Sequence, residues 1–201
     1  MRTIVGLFRN AHDADMAVNA LRNAGFTNTD LSVMARDEVM SDYDMDAYRS
    51  GEDVDAAEGA GVGAVGGAAV GGITGLLMGL GALAIPGIGP VIAAGTLATA
   101  LGSAAAGTAV GAVAGAITGG VVAALVDMGI PQEDANFYAE GVKRGGVLVT
   151  VQTDESRAAT AEDILDRFNA VEVEHERATW RSGGWNRFDD SDYPSTTYPR
   201  F

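Results

Sequence analysis

The feature that most constrains this chain is the stretch Gly59–Val126, which contains no Asp, Glu, Lys, Arg or His. Small residues recur in it at every fourth position, in two separate series. Residues four apart lie on nearly the same face of an α-helix, so each series predicts a helix face with almost no side chains. Another helix can approach such a face closely, in the small-xxx-small packing best known from membranes. The helix-packing positions of this predicted glycine zipper are Gly59, Gly63, Gly67, Gly71, Gly75 and Gly79, and then Ser103, Gly107, Gly111, Gly115 and Gly119.

The segment Ile85–Pro90 separates the two series and holds two prolines and two glycines. Because such residues interrupt helices, residues 57–127 are predicted to form a Gly/Ala-rich helical hairpin. Its first helix would span 57–83 and its second 91–126, with a break near Gly102 as a variant of the second. At 1.5 Å per residue the first helix measures on the order of 40 Å, enough to cross a bilayer core of ~30 Å.

Two partners are compatible with this hairpin. One is a lipid bilayer, since both flanks of the hairpin are acidic and stay in water, while the connector at 86–90 has no charge and is able to cross. The flanks lack the Lys and Arg that usually anchor cytoplasmic ends, which counts against insertion. The other partner is the chain itself. Because Gly and Ala bury little apolar surface, hairpins of several copies can instead bury one another in a homo-oligomer.

Outside the hairpin, residues 1–36 and 128–180 predict the two halves of one α+β domain. Each half has the order β-α-β, with an extra helix ahead of the first strand of the second half. This order matches a ferredoxin-like split β-α-β domain with the glycine-zipper hairpin inserted between its halves. In that fold the first and third strands are central, and here those two are the apolar ones. The fourth carries Glu at alternate positions and suits an edge. The predicted strands are Thr3–Phe8, Leu31–Arg36, Val147–Val151 and Val171–Arg177.

Local signals mark the ends of the predicted helices. Asn10 or Asp13 is suited to cap the first helix, and Gly25 to end it. The next helix is predicted over 131–143, because it begins with proline and acidic residues and ends with Lys-Arg-Gly-Gly. The last helix spans 157–168, with apolar residues on one face.

Two segments are predicted to lack regular structure. Residues 37–56 form an acidic linker without hydrophobic periodicity, which we expect to be mobile. Residues 181–201 form a polar tail with scattered aromatic residues, which we expect to be disordered.

Composition and motifs indicate no enzymatic chemistry. The net charge of −14 would repel the phosphates of nucleic acid, and without cysteine there is no thiol nucleophile or disulfide. The GxGxxG match at 61–66 follows no strand, so a dinucleotide site is rejected. His12 and His175 lie in different elements, and the aspartates at 42–46 lack the Gly and Glu of a calcium loop. We assign no catalytic residue, no cofactor and no metal ligand.

Three blocks of the chain form a recognisable pattern. They read IVGLFRNAHDADMAVNALRNAGF at 4–26, IPGIGPVIAAG at 85–95 and GIPQEDANFYAEGVKRGGVLVTV at 129–151. Over residues 2–177 this pattern resembles bacterial general stress proteins of the 17M-like, heat-induced class. The resemblance implies induction under stress, but it implies no agreed biochemical activity and no catalytic residues.

We therefore expect a non-enzymatic, stress-induced cytoplasmic protein whose hairpin associates with the inner face of the cell membrane, with other copies of itself, or with both. A soluble homo-oligomer with the hairpins as its helical core, and a small-ligand-binding module built on the sheet, remain alternatives. Because all four predicted strands lie outside it, deletion of residues 55–128 is predicted to leave a folded, monomeric domain.

Overall fold

An antiparallel sheet of five strands forms the centre of the described structure. The computed structural model describes residues 1–50, 72–77, 83–85, 87–105 and 120–189. The strands are β1 (Arg2–Phe8), β2 (Leu31–Arg36), β3 (Leu83–Ile85), β4 (Gly89–Ala94) and β5 (Val147–Thr153). Their order across the sheet is β1-β5-β2-β4-β3. Because β1 and β2 both pair antiparallel with β5, they run parallel to each other on its two sides. The predicted mixed α+β class is confirmed.

Helices cover both faces of this sheet. Successive strand residues point to opposite faces, so Val147 and Val149 enter one hydrophobic core and Leu148 enters the other. Burial on both faces explains why β5 is apolar without alternation. The first core is covered by α1 (Ala11–Asn23), α2 (Asp37–Ser50), α3 (Gly72–Leu77) and α7 (Glu155–Arg167), and the second by α4 (Thr96–Ala105), α5 (Gly120–Asp127), α6 (Gln132–Lys143) and α8 (Val173–Ser182).

Elements with strong local signals lie where they were predicted. The Oδ1 atom of Asn10 accepts a hydrogen bond from the backbone N–H of Asp13 at 2.8 Å, which caps α1. The strand β2 has its predicted bounds, and α6 ends at Lys143. Strand β5 is two residues longer than predicted because Gln152 and Thr153 continue the pairing with β1.

The predicted strand over 171–177 is wrong, because α8 occupies most of it. Only the N–H of Val171 donates to Leu7 O of β1, at 2.7 Å, before the chain turns away from the sheet. The helix places Trp180 in the second core, where its ring stacks on Phe137 at 4.6 Å between centroids. A strand over 171–177 would forgo this burial. As a result β1, predicted to be central, lies at one end of the strand order.

The connector between the two predicted zipper helices is a β-hairpin. Within 83–94, the chain forms β3 and β4, and the N–H of Ile88 donates to Ile85 O at 3.1 Å. Gly87, at φ 77°, supplies the left-handed conformation that such a turn favours. Pairing of β4 with β2 stabilises the extended conformation. The predicted helices over 57–83 and 91–126 are therefore wrong where they overlap β3 and β4. Of the rest of each predicted helix, the structure describes only a part.

Two segments predicted to be irregular have defined structure over part of their length. The acidic linker begins with α2, because Met40 is 3% exposed and packs with Val39 and Tyr43 against the first core. Beyond α8, the residues 183–189 pack on the second core, where Phe188 is 1% exposed. The rest of the predicted linker and tail, 51–56 and 190–201, lies outside the described residues.

Candidate functional site

Two of the predicted helix-packing positions lie in described helices. Gly75 is part of α3 and Ser103 is part of α4. The structure therefore tests the predicted zipper only through the two helices, α3 and α4, that contain these positions. The other positions, Gly59, Gly63, Gly67, Gly71, Gly79, Gly107, Gly111, Gly115 and Gly119, lie outside the described residues.

Helix α4 buries its two leucine side chains and exposes Thr99 on the opposite side. Leu97 and Leu101, one turn apart, are at most 4% exposed and enter the second core. Thr99 lies about 200° from Leu97 around the helix and is exposed. Position 103, at which the second zipper series starts, follows Thr99 by one turn of the helix.

Helices α4 and α5 run in opposite directions on the same face of the sheet. The hydroxyl of Ser32 lies 2.9 Å from that of Thr96 at the start of α4, and Thr3 Oγ1 donates to Met128 O at 2.8 Å just after α5. Ser32 pairs with Thr150 and Thr3 pairs with Gln152, and these two β5 residues are only two positions apart. Helix α4 therefore begins, and α5 ends, at the same end of the sheet. Residues 106–119 lie in sequence between the end of α4 and the start of α5.

The short helix α3 is held to α1 by two polar side chains. Asp15 Oδ1 accepts from the N–H of Ile73 at 2.8 Å, and Asn19 Oδ1 accepts from the N–H of Gly72 at 3.0 Å. Burial raises the pKa of the Asp15 carboxyl above its ordinary value, while the hydrogen bond from Ile73 acts to lower it. The first zipper series is thus joined to the domain next to a partly buried carboxylate.

A groove of about 460 Å³ runs along the outer edge of β1. One wall is formed by the beginning of α6, with Asp134 and Tyr138, and the other includes Glu162 of α7. Both carboxylates have guanidinium partners. Arg2 Nη2 lies 2.9 Å from Glu162 Oε1, and Arg177 of α8 pairs with Asp134. The groove is therefore polar, and charges of both signs line it.

The phenol of Tyr138 stays protonated in this groove. The pKa of Tyr138 is raised to about 12, chiefly by burial and also by the Asp134 carboxylate, while Arg177 opposes the shift. At neutral pH the side chain is therefore a neutral hydrogen-bond donor rather than a base. The groove can bind polar groups, and none of its described side chains is an activated nucleophile.

No candidate metal centre emerges from the residues that the structure describes: no three His, Cys, Asp or Glu side chains come together there as ligands would. Within the same residues no helix combines the length and the apolar character that crossing a membrane requires. His12 lies at the start of α1 and His175 in α8, so the two remain in different elements. Sequence reasoning missed the groove because it assigned the edge of β1 to a fourth strand.

Comparisons with family models, with curated proteins and with solved structures give no match to this chain.

Proposed function

We propose that this protein acts without catalysis, by associating with other copies of itself through the exposed Thr99 face of α4 and the glycine-rich segment that follows the helix. One observation supports the proposal most directly. Helix α4 uses Leu97 and Leu101 to bind its own domain and leaves the Thr99 face outward. A helix of a second copy can approach that face closely, because small side chains allow short distances between helix axes.

The structure of the connector favours self-association over a membrane-crossing hairpin. Residues 83–85 and 89–94 belong to the sheet as β3 and β4, whereas a hairpin in lipid would need its connector at the far side of the bilayer. Membrane association stays a prediction.

The covered sheet argues against the small-ligand alternative. Helices bury both sheet faces, so neither face is open to a ligand as the alternative requires. We propose instead that the sheet is a platform, in which β1, α1 and β2 around β5 form the first half of the predicted ferredoxin-like arrangement. Induction by stress is what the family resemblance implies, and it stays part of the proposal, as does a cytoplasmic location.

A pair of identical substitutions tests the proposed interface. In full-length protein, Thr99→Leu adds bulk on the proposed contact face, and Thr160→Leu adds the same bulk on an exposed face of α7. Overpacking of a close contact costs about 1–3 kcal/mol. We therefore expect Thr99→Leu to weaken self-association by about one order of magnitude or more, and Thr160→Leu to leave it unchanged. Sedimentation velocity over a concentration series measures both.

Hydrophobicity alone makes the opposite forecast for this pair. Leucine is more apolar than threonine, so a non-specific apolar contact would strengthen association in Thr99→Leu and, to a similar degree, in Thr160→Leu. Stronger association of Thr99→Leu, or a wild-type protein that is monomeric up to high micromolar concentration, would contradict the proposed function.

A further inference from the structure

The chain has one lysine, Lys143, and it lies beneath the segment that follows α8. Residues 183–189 form this segment, which we call the strap. Lys143 is 3% exposed. Its Nζ atom donates to Asp189 O at 2.9 Å and lies 5.6 Å from the centre of the Phe188 ring. Two residues of the strap therefore cover the amine.

The strap is held to the rest of the fold by few side chains. It contains neither helix nor strand, and its residues are exposed except for Phe188, which is buried, and Trp185, which is half-buried. The ring of Trp185 packs edge-on against Trp180 of the preceding helix. Burial of Phe188 and the hydrogen bond from Lys143 are therefore the contacts that join the strap to α6.

Two features of the closed strap oppose its docking. A lysine is seldom fully buried, because its ammonium group loses hydration, and this loss offsets part of the gain from burying Phe188. The Nε1 atom of Trp185 is also buried, and it has no acceptor among the described residues. A buried N–H group without an acceptor is costly, and water satisfies it when the segment opens. Segments with so small a net gain open locally while the remaining fold stays closed.

A glycine turn marks the place where the strap leaves α8. The N–H of Trp185 donates to Trp180 O at 3.0 Å, and that of Gly184 donates to Arg181 O at 3.0 Å. This pair of bonds is a Schellman motif. Gly184 has the left-handed φ of 96° that the motif needs, and a Cβ atom placed on it would meet nothing within 4 Å. The turn therefore depends on the backbone conformation of this glycine and not on packing around it.

We propose that the strap opens as a unit at this turn while the rest of the fold stays intact, and that opening makes Lys143 a site of acylation by activated acyl compounds, such as thioesters and active esters. In the closed form the strap keeps such compounds from the amine. In the open form the unprotonated amine attacks the acyl carbonyl carbon. A C–N bond forms, the leaving group departs with the electron pair of its bond to that carbon, and the proton lost by the amine passes to water.

Acetylation of the full-length protein by the N-hydroxysuccinimide ester of acetic acid, followed by peptide mass spectrometry, measures this opening. The amino group of Met1, a fully exposed residue, reacts in the same sample and gives a reference rate. We expect Lys143 to react at least tenfold more slowly than Met1. We also expect the Lys143 rate to stay nearly constant as guanidinium chloride is raised below the unfolding transition, because local opening exposes little surface. Hydrogen exchange of the β5 amides reports global unfolding under the same conditions.

Gly184→Ala and Gly129→Ala are matched variants for this measurement. Both glycines have positive φ, and a Cβ atom would meet nothing within 4 Å at either, so alanine strains the backbone similarly at the two positions. Only Gly184 belongs to the turn of the strap. We expect Gly184→Ala to speed acetylation of Lys143 about tenfold relative to Met1, and Gly129→Ala to leave it within about twofold.

Three results would overturn the proposal. The first is a Lys143 rate equal to that of Met1, since the strap would then not cover the amine. The second is a rate that rises with guanidinium chloride as steeply as global unfolding does. The third is equal acceleration by the two alanine variants. If Gly184→Ala does not fold, the denaturant dependence of the wild type decides. None of these results concerns the Thr99 face of α4, so this proposal and the proposed function succeed or fail separately.

Discussion

The backbone conformation of Gly72 and its close contact with Asp15 determine how α3 is joined to the domain. Gly72 has a φ of 51°, and a Cβ atom placed on it would overlap the carboxylate of Asp15. That carboxylate accepts the hydrogen bond from Ile73. A side chain at position 72 therefore conflicts both with the backbone conformation and with the group that anchors the helix.

Gly72→Ala is expected to destabilise the fold more than Gly129→Ala. Both glycines have positive φ, but a Cβ on Gly129 meets nothing within 4 Å. The backbone conformation costs roughly 1–2 kcal/mol for alanine at either site. The clash with Asp15 adds about 1–3 kcal/mol at position 72 alone. Chemical denaturation of the two variants measures the difference, and equal losses would show that α3 is not held by Asp15.

The partly buried carboxyl of Asp15 makes stability depend on pH. Its folded-state pKa is raised above 3.8, chiefly by burial, so the folded state holds this proton more tightly than the unfolded state. The stability that protonated Asp15 contributes is present below pH 3.8 and is lost as the pH rises through the folded-state pKa. Asp15→Asn lacks this titration. We expect the unfolding free energy of the wild type, minus that of Asp15→Asn, to fall over this interval. A constant difference would contradict the raised pKa.

At the scale of elements, the segment after α8 completes the second core. Phe188 is 1% exposed, and the Nζ of Lys143 lies 5.6 Å from the centre of its ring. The same ammonium group donates to Asp189 O at 2.9 Å. Trp185 packs edge-on against Trp180, with centroids 5.7 Å apart. These contacts connect the last described residues to the end of α6.

Phe188→Ala is expected to cost about 3–5 kcal/mol of unfolding free energy, the usual range for removing a buried aromatic ring. Arg187→Ala, at an exposed neighbouring position, is expected to change it by less than about 0.5 kcal/mol. Thermal and urea unfolding of both variants measure the two effects. Similar, small losses in both would mean that 183–189 contribute little to the folded state.

At the scale of the whole molecule, part of the region that appeared to be an insertion is integral to the core. Strands β3 and β4 extend the sheet, and α4 and α5 cover its second face. Removing residues 55–128 would expose the buried side chains of Met34 and Leu148 on that face. The sequence-based expectation that this deletion leaves a folded domain therefore has no support in the structure.

One deletion and one replacement distinguish the part of this region that belongs to the core from the part that does not. We expect the protein without 55–128 to lose cooperative unfolding. We expect replacement of 106–119 by a Gly-Ser segment of equal length to keep cooperative unfolding and to abolish self-association. Calorimetry and sedimentation velocity measure both properties. A cooperative transition in the first variant would contradict the two-faced core, and unchanged association in the second would contradict the proposed function.

Local sequence determined the elements whose ends and burial depend on near neighbours. Asn10 caps α1 through a residue three positions away, and the apolar run of β5 needs only a sheet with two covered faces. The bounds of β2 and the end of α6 follow from signals of the same range. For these elements, propensity, capping and periodicity favour one conformation, so no distant contact is needed to choose it.

Tertiary structure decided the elements whose local pattern suits more than one conformation. VEVEHER alternates like a strand, but burial of Trp180 against Phe137 makes it the first part of a helix. The segment 83–94 pairs with β2, a partner far away in sequence. The groove beside β1 follows from these same two outcomes, so no local signal could predict it. Distant burial and strand pairing contribute more free energy than local preference, which spans only about 1 kcal/mol per residue.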